Sequence, residues 1–342
     1  MTTMTLDFEV PAALSAHEPP EARGIARDHV RMLVGRRETG EVSHHCFTEL
    51  PDVLTPGDVL VVNTSATVPA ALDVLGRTNL VVHVSTELPD GTWVVELRHR
   101  VAGGATEPYA DGVAGDRLTL DGGAHARLLR PYSPRRLWVA EVDVPSVPSY
   151  LMAHGRPIRY SYVDRDWPLS TYRSVFATTP GSAEMPSASR PFTEELVTRL
   201  VSRGIVFAPI LLHTGVASPE AHEKPYPERF RVPETTARLV NEARDAGRRI
   251  IGVGTTAVRA IETAADERGR LRAAGGWTAV VVTPERGVRA IDGLVTGFHE
   301  PQASHLQMLK AIAGERLIEA CYAAALDEGY LWHEFGDINV LI

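Results

Sequence analysis

Short apolar runs that end on polar residues recur along the chain, and they predict its elements. Residues 30–34 read as a strand and residues 36–40 as a turn. Residues 47–54 lead into the turn Thr55-Pro56-Gly57-Asp58, after which Val59, Leu60, Val61 and Val62 form an apolar strand closing on Asn63. From Asp73 to about Val144 the pattern shifts to short β-rich runs at 80–84, 92–97, 117–120 and 137–142, parted by glycine-rich turns. That spacing predicts a small β-barrel inserted into the first domain. Residues 145–168, rich in proline, tyrosine and arginine, read as a linker or binding loop whose basic groups are Arg156, Arg159 and Arg165.

From Phe192 onward the period alternates between helix and strand. Helices are expected at 193–203, 233–246, 257–265 and 306–327, and strands at 205–212, 250–253 and 278–282. The alternation predicts a mainly parallel α/β sheet or barrel. Residues 1–72 and 146–342 are expected to form this α/β domain, with 73–145 as the inserted β domain. Ligands of α/β folds gather at the carboxyl ends of strands, so Asn63, His213 and Thr255, each following a strand, are expected on one rim.

The stretch from Gly254 to Glu262 is the most telling. Gly254 allows a tight turn, Thr255 and Thr256 can cap the helix that follows, and the turn presents free backbone N–H groups beside two hydroxyls. Such a turn suits a polar or anionic group such as a carboxylate. The competing reading is an ordinary capped helix with Arg259 and Glu262 as a surface i,i+3 pair.

Composition narrows the classes. With 342 residues, 44% hydrophobic and 23% charged, the chain can bury an ample core in one large domain or two of ordinary size. Cys46 and Cys321 have no partners at metal or redox spacing, which suits a reducing cytoplasm. The first 17 residues carry acids and do not read as a signal peptide, and no run approaches the ~20 apolar residues of a membrane span, so a cytoplasmic location is expected. A net charge of -8 and a pI near 5.9 give no global attraction to nucleic acid, leaving only a local basic patch. No metal is expected, since His213, His222 and His299 lack short paired spacing. There is also no Walker A loop, no Gly-x-Gly-x-x-Gly and no Gly-x-Ser-x-Gly elbow.

Further clusters follow apolar runs: Tyr172 with Gly181 to Ser187, His213 with His222, Glu223 and Glu228, Asp292 through Pro301, and Phe335-Gly336-Asp337. Pro56-Gly57-Asp58 with Asn63, Tyr172 and Val175, Pro180-Gly181-Ser182, Pro186, Phe192-Thr193-Glu194-Glu195-Leu196, Leu212-His213, the stretch 253–259 with Glu262, Asp292-Gly293-Leu294, Phe298-His299 with Pro301, and Gly336-Asp337 occur in that order. The ordered set resembles the S-adenosylmethionine:tRNA ribosyltransferase-isomerases of queuosine biosynthesis, over nearly the whole chain. The resemblance implies a modified α/β barrel with an inserted small all-β barrel, using S-adenosylmethionine as ribosyl donor; with no Schiff-base lysine motif in the chain, no pyridoxal phosphate is expected. In that family the ribose passes to a 7-aminomethyl-7-deazaguanine base in tRNA and rearranges to an epoxy-cyclopentanediol as adenine and methionine leave.

A sulfonium acidifies neighbouring C–H bonds and makes its attached carbons electrophilic, so a positioned base can start such a reaction. Candidate proton-transfer groups are His213, His299, Glu184, Glu228, Glu300 and Tyr226. Candidate substrate-binding residues are Asn63, Tyr172, Ser182, Ser187, Phe192, Thr193, Thr255, Thr256, Arg259, Glu262 and Asp337, with Arg259 suited to grip the donor carboxylate.

The chain also departs from the family. Two family arginines appear as Ala66 and Ala71, a family histidine as Pro191, and a His-x-Met-His-Ser-Glu segment as residues 223–228, of which Glu228 alone is retained. The strand-end loop is shortened around residues 216–219, Glu300 stands where the family has leucine, and the terminal Tyr-Arg-Phe appears as Tyr330-Leu331-Trp332. Lost basic groups weaken the expected hold on tRNA, because phosphate contacts supply most affinity for nucleic acid. The competing expectation is therefore small-molecule chemistry on S-adenosylmethionine without tRNA, such as cyclisation to 1-aminocyclopropane-1-carboxylate plus methylthioadenosine. No Schiff-base lysine motif supports the carbanion that this cyclisation needs. A non-catalytic S-adenosylmethionine sensor is the third expectation.

Overall fold

The structure is a computed structural model that describes residues 8–101, 104–133, 136–216, 226–301 and 303–342. His222, Glu223 and most of the loop after Val216, together with the start of the N-terminal segment, lie outside the described residues. In chain order the strands are β1 (Arg31–Gly35), β2 (Val42–Cys46), β3 (Val59–Asn63), β4 (Ser65–Thr67), β5 (Ala71–Asp73), β6 (Leu80–Glu87), β7 (Trp93–Arg100), β8 (Thr106–Pro108) and β9 (Arg117–Thr119). They continue with β10 (His125–Pro131), β11 (Leu137–Val142), β12 (Thr179–Ser182), β13 (Val206–Leu212), β14 (Glu228–Val232), β15 (Ile250–Val253), β16 (Ala274–Thr278), β17 (Gly293–Gly297) and β18 (Ile338–Leu341). The helices are α1 (Leu50–Val53), α2 (Val147–His154), α3 (Glu194–Ser202), α4 (Glu234–Asp245), α5 (Thr255–Ala264), α6 (Ser304–Ala313) and α7 (Glu315–Asp327).

The chain is a mixed α/β fold. Its main sheet runs β16-β14-β13-β3-β15-β17-β18-β1-β2. β3 and β15 are wholly buried, which fits near-continuous apolar runs in a sheet covered on both faces. One face packs on a core containing Val61, Ile210, Val258 and Ile261, the other on a core containing Leu60, Val62, Phe192 and Leu196. The expected mainly parallel sheet is corrected. The pairs β13/β3, β3/β15, β15/β17 and β18/β1 are parallel, but β16/β14, β14/β13, β17/β18 and β1/β2 are antiparallel. Two consecutive helices, α6 and α7, separate β17 from β18, so the chain returns to the end it left and β18 runs back along β17.

Two expected elements also differ. The single helix at 306–327 is split at Gly314, whose φ of +80° is a left-handed conformation that interrupts the helical ladder. The strand expected at 278–282 ends at Thr278, where the Thr278 hydroxyl takes the Val280 N–H at 3.2 Å and turns the chain aside. Val282 is still buried, so the apolar pattern reported burial rather than strand.

A second, wholly antiparallel sheet runs β5-β6-β7-β11-β10-β9, with β8 on β7, around its own core of Leu72, Val82, Val95, Leu118, Leu128 and Val139. Its outer strands approach each other: Leu75 N–H donates to Thr119 O at 2.7 Å and Asp121 N–H to Asp73 O at 2.9 Å. β4 and β12 form a separate parallel pair. No helix among the described residues is long and apolar enough to cross a membrane.

Candidate active site

The carboxyl ends of several main-sheet strands converge on a cavity of about 620 Å3. β15 delivers Gly254, Thr255 and Thr256. Gly254, at φ +87°, makes the tight turn that lets α5 start at once. β17 delivers Thr296, His299 and Glu300, and the start of α6 adds His305. Glu184 and Ser187 come from the stretch after β12, Tyr226 from just before β14, Glu228 from its first position, and Arg259 from the second turn of α5.

Asn63 organises this rim from beneath. Its amide nitrogen donates to Leu212 O at 2.8 Å and Thr256 Oγ1 at 3.3 Å, while its oxygen accepts from the N–H groups of Leu212 and Ser65 at 3.0 and 3.1 Å. One buried amide thus ties β3, β13 and the start of α5 together. His213 lies just behind the cavity wall, its Nδ1 2.7 Å from Ser65 Oγ, which is in turn 2.6 Å from Ser182 Oγ. Burial, with Arg229 nearby, pushes the His213 imidazole down to about 4, so it is neutral at physiological pH.

Arg259 is held on several sides. It pairs with Glu228 and donates to Val280 O at 3.2 Å, Tyr226 O at 3.1 Å and Thr278 O at 3.2 Å. Gly215 N–H adds a bond to Glu228 at 2.9 Å. Burial raises the Glu228 carboxyl above its usual range, with Arg259 opposing it. Glu262 instead binds Arg286 at 2.8 Å and the N–H groups of Arg289 and Ala290 at 2.9 Å. The surface pair Arg259–Glu262 does not form.

Glu184 accepts a hydrogen bond from Tyr160, and burial pushes its carboxyl up to about 8 against that bond. Tyr162 donates to Glu334 at 2.5 Å and stacks on His333 at 3.9 Å, and His333 Nε2 lies 3.6 Å from Glu300. His299 shares a 2.9 Å hydrogen bond with Thr296 and stacks on His305 at 4.6 Å. Burial pushes His299 well below its ordinary value, and His305 and His333 each to about 4. The wall therefore holds four carboxyl groups, Glu184, Glu228, Glu300 and Glu334, and three neutral imidazoles; Arg259, its one cation among the described residues, is already paired. With Glu184 raised to about 8 and Glu228 paired to Arg259, these carboxyls ionise most readily when a cationic group enters, and no unpaired cation among the described lining residues is there to meet a phosphate.

Of the residues singled out from the sequence, Glu184, Ser187, Tyr226, Glu228, Thr255, Thr256, Arg259, His299 and Glu300 line the cavity. The others sit outside its lining. Phe192 packs between Phe47 and Phe176 at 5.1 and 5.2 Å. Thr193 caps α3, accepting from Leu196 N–H at 3.1 Å, and donates to Asp28 at 3.0 Å. Tyr172 packs on Phe335, and Asp337 accepts from the N–H groups of Arg31 and Leu331 at 2.9 and 2.8 Å. Ser182 and Asn63 are fully buried supports. Tyr160, Tyr162, His305, His333 and Glu334 are lining residues that sequence reasoning passed over. The 145–168 stretch stood out for its arginines, whereas its tyrosines reach this cavity. His333 and Glu334 directly precede the Phe335-Gly336-Asp337 cluster.

The comparisons with known proteins agree on one family. The family described as "Queuosine biosynthesis protein" matches residues 3–341. The chain is 32% identical over 354 residues to an S-adenosylmethionine:tRNA ribosyltransferase-isomerase of Desulfitobacterium hafniense, covering 98% of each chain. It is 31% identical over 353 residues to that of Thermotoga maritima, covering both chains completely. It is also similar to a crystal structure of S-adenosylmethionine tRNA ribosyltransferase from Thermotoga maritima, with a TM-score of 0.55, 27% identity, and 98% and 99% of the two chains covered. With matches of this extent on top of the ordered motifs, the chain belongs to the queuosine biosynthesis protein family.

Proposed function

We propose that this chain is an S-adenosylmethionine-dependent transferase-isomerase that moves the donor's ribosyl group onto a 7-aminomethyl-7-deazaguanine base in tRNA. The relatives that match nearly its whole length are named S-adenosylmethionine:tRNA ribosyltransferase-isomerase. The observation that carries the reading to this chain is the cavity lining: carboxyl groups and neutral imidazoles around a helix start. Its volume of about 620 Å3 lies in the ordinary range for a small-molecule site of ~300–1,000 Å3. A sulfonium is stabilised by carboxylates, and the donor's carboxylate suits the N–H groups and hydroxyls at Thr255 and Thr256.

Within this reading Glu184 is the base that removes a proton beside the sulfonium. Arrival of the cationic donor favours its ionised form, so binding itself prepares the base. Arg259, committed to Glu228 and three carbonyls, holds the rim in shape and leaves the donor carboxylate to the start of α5. His299 and Glu300 close the opposite wall. The smaller sheet is read as a barrel inserted between residues 1–72 and 146–342, closed where Val74 bridges to Leu120; the two hydrogen bonds flanking that bridge support this.

Incubation of the protein with S-adenosylmethionine, with and without tRNA bearing the aminomethyl-deazaguanine base, tests the reaction. Adenine and methionine are expected, and only when that tRNA is present. Methylthioadenosine formed without tRNA would instead assign the protein to cyclisation or lysis of the donor.

A further inference from the structure

A second cavity, of about 210 Å3, has the opposite chemistry and stands beside the first. Its space is several times the ~30 Å3 share of one water. Ala71, Asp73, Arg100, Arg156, Arg159 and Asp166 are among its lining residues. Asp73 accepts from Arg100 at 2.6 Å and from both terminal nitrogens of Arg156 at 2.9 and 2.6 Å, so a single carboxylate fixes two guanidiniums side by side. Arg159 Nε is 3.5 Å from Asp166, whose side chain is 74% exposed. Three guanidiniums against two carboxylates leave a positive site on a chain of net charge -8. A guanidinium held by one carboxylate in this way keeps N–H donors on its other edge, and these suit phosphate oxygens.

The placement ties this charge to the larger cavity. Arg156, Pro157 and Arg159 line the small cavity, while Tyr160 and Tyr162, next along the same stretch, line the large one. Ala71, where the resembling family carries an arginine, pairs with Arg156 in an antiparallel bridge. The cations here come from β7 and from the stretch after α2 instead.

We propose that the arginine cavity is a phosphate subsite, which holds a backbone phosphate of the RNA acceptor while the target base enters the neighbouring cavity; this rests on the tRNA reading above. Binding of tRNA bearing the aminomethyl-deazaguanine base, measured across a series of salt concentrations, tests it in the wild type, Arg100→Ala and Arg159→Ala. Each variant is expected to raise the Kd roughly five- to tenfold and to reduce the slope of log Kd against log salt by about one, with the KM for S-adenosylmethionine unchanged. Wild-type affinity and slope in both variants would overturn the subsite and leave the tRNA reading standing. A wild-type protein that binds no tRNA would overturn both. Inorganic phosphate that displaces tRNA at micromolar concentration would assign the cavity to a free anion and likewise overturn the RNA subsite. Thermal melting identifies a variant that fails to fold, in which case the other variant decides.

Discussion

Glu184 sits where a carboxylate is hard to keep ionised, walled by Glu228 and Glu334 and bonded by Tyr160. Burial is the largest cause of its rise to about 8, and the neighbouring acids add to it. A base must be deprotonated to act, so a carboxyl raised this far disables the free enzyme as pH falls. The kcat/KM for S-adenosylmethionine is expected to fall about tenfold per unit below pH 8 and to level off above it. Glu184→Gln, which keeps the shape and part of the Tyr160 contact, should lower kcat by at least about 100-fold. A flat profile from pH 6 to 8, or a glutamine variant within a few-fold of wild type, would remove Glu184 from the chemistry. His299, His305 and His333 are all pushed down, so none of them supplies a cation to the wall near neutral pH.

At the scale of elements, the site depends on strand ends being held in register, and Asn63 does much of this. Its four hydrogen bonds join β3, β13 and α5. Asn63→Ala would strand the Leu212 carbonyl and two N–H groups in the core, and should lower unfolding stability by at least about 2 kcal/mol. Urea denaturation checks this; a loss below about 0.5 kcal/mol would mean that β-sheet pairing alone sets the rim. The strands at Val59–Asn63, Ile250–Val253 and Leu137–Val142 were legible because each is a short apolar run with a polar or turn-forming stop. The break at Gly314 was harder to read, since apolar residues continue the helical period through it. The site was half legible for a related reason. Thr255, Thr256 and Arg259 announce themselves in one local turn, but Tyr160 meets Glu184 across 24 residues and Tyr162 meets Glu334 across 172. Pairings that distant leave no periodic trace in a single sequence.

Across the whole molecule, charge is divided between two neighbouring cavities: a carboxyl-lined one suited to a sulfonium and an arginine-lined one suited to phosphate. This division reconciles a net charge of -8 with an RNA acceptor, because local fields rather than the total charge select each ligand group. With the arginine cavity taken as the proposed phosphate subsite, the lost family arginines do not require loss of the acceptor. Whether the donor occupies the larger cavity is decided by calorimetric titration of S-adenosylmethionine against wild type and Ser187→Trp. Ser187 is a partly exposed lining residue on a short helical turn, so an indole there fills the cavity with little cost to the core. Micromolar-range binding to the wild type is expected, with at least a 30-fold loss, about 2 kcal/mol, in Ser187→Trp at an unchanged melting temperature. Equal affinity of the two folded proteins for S-adenosylmethionine would contradict it.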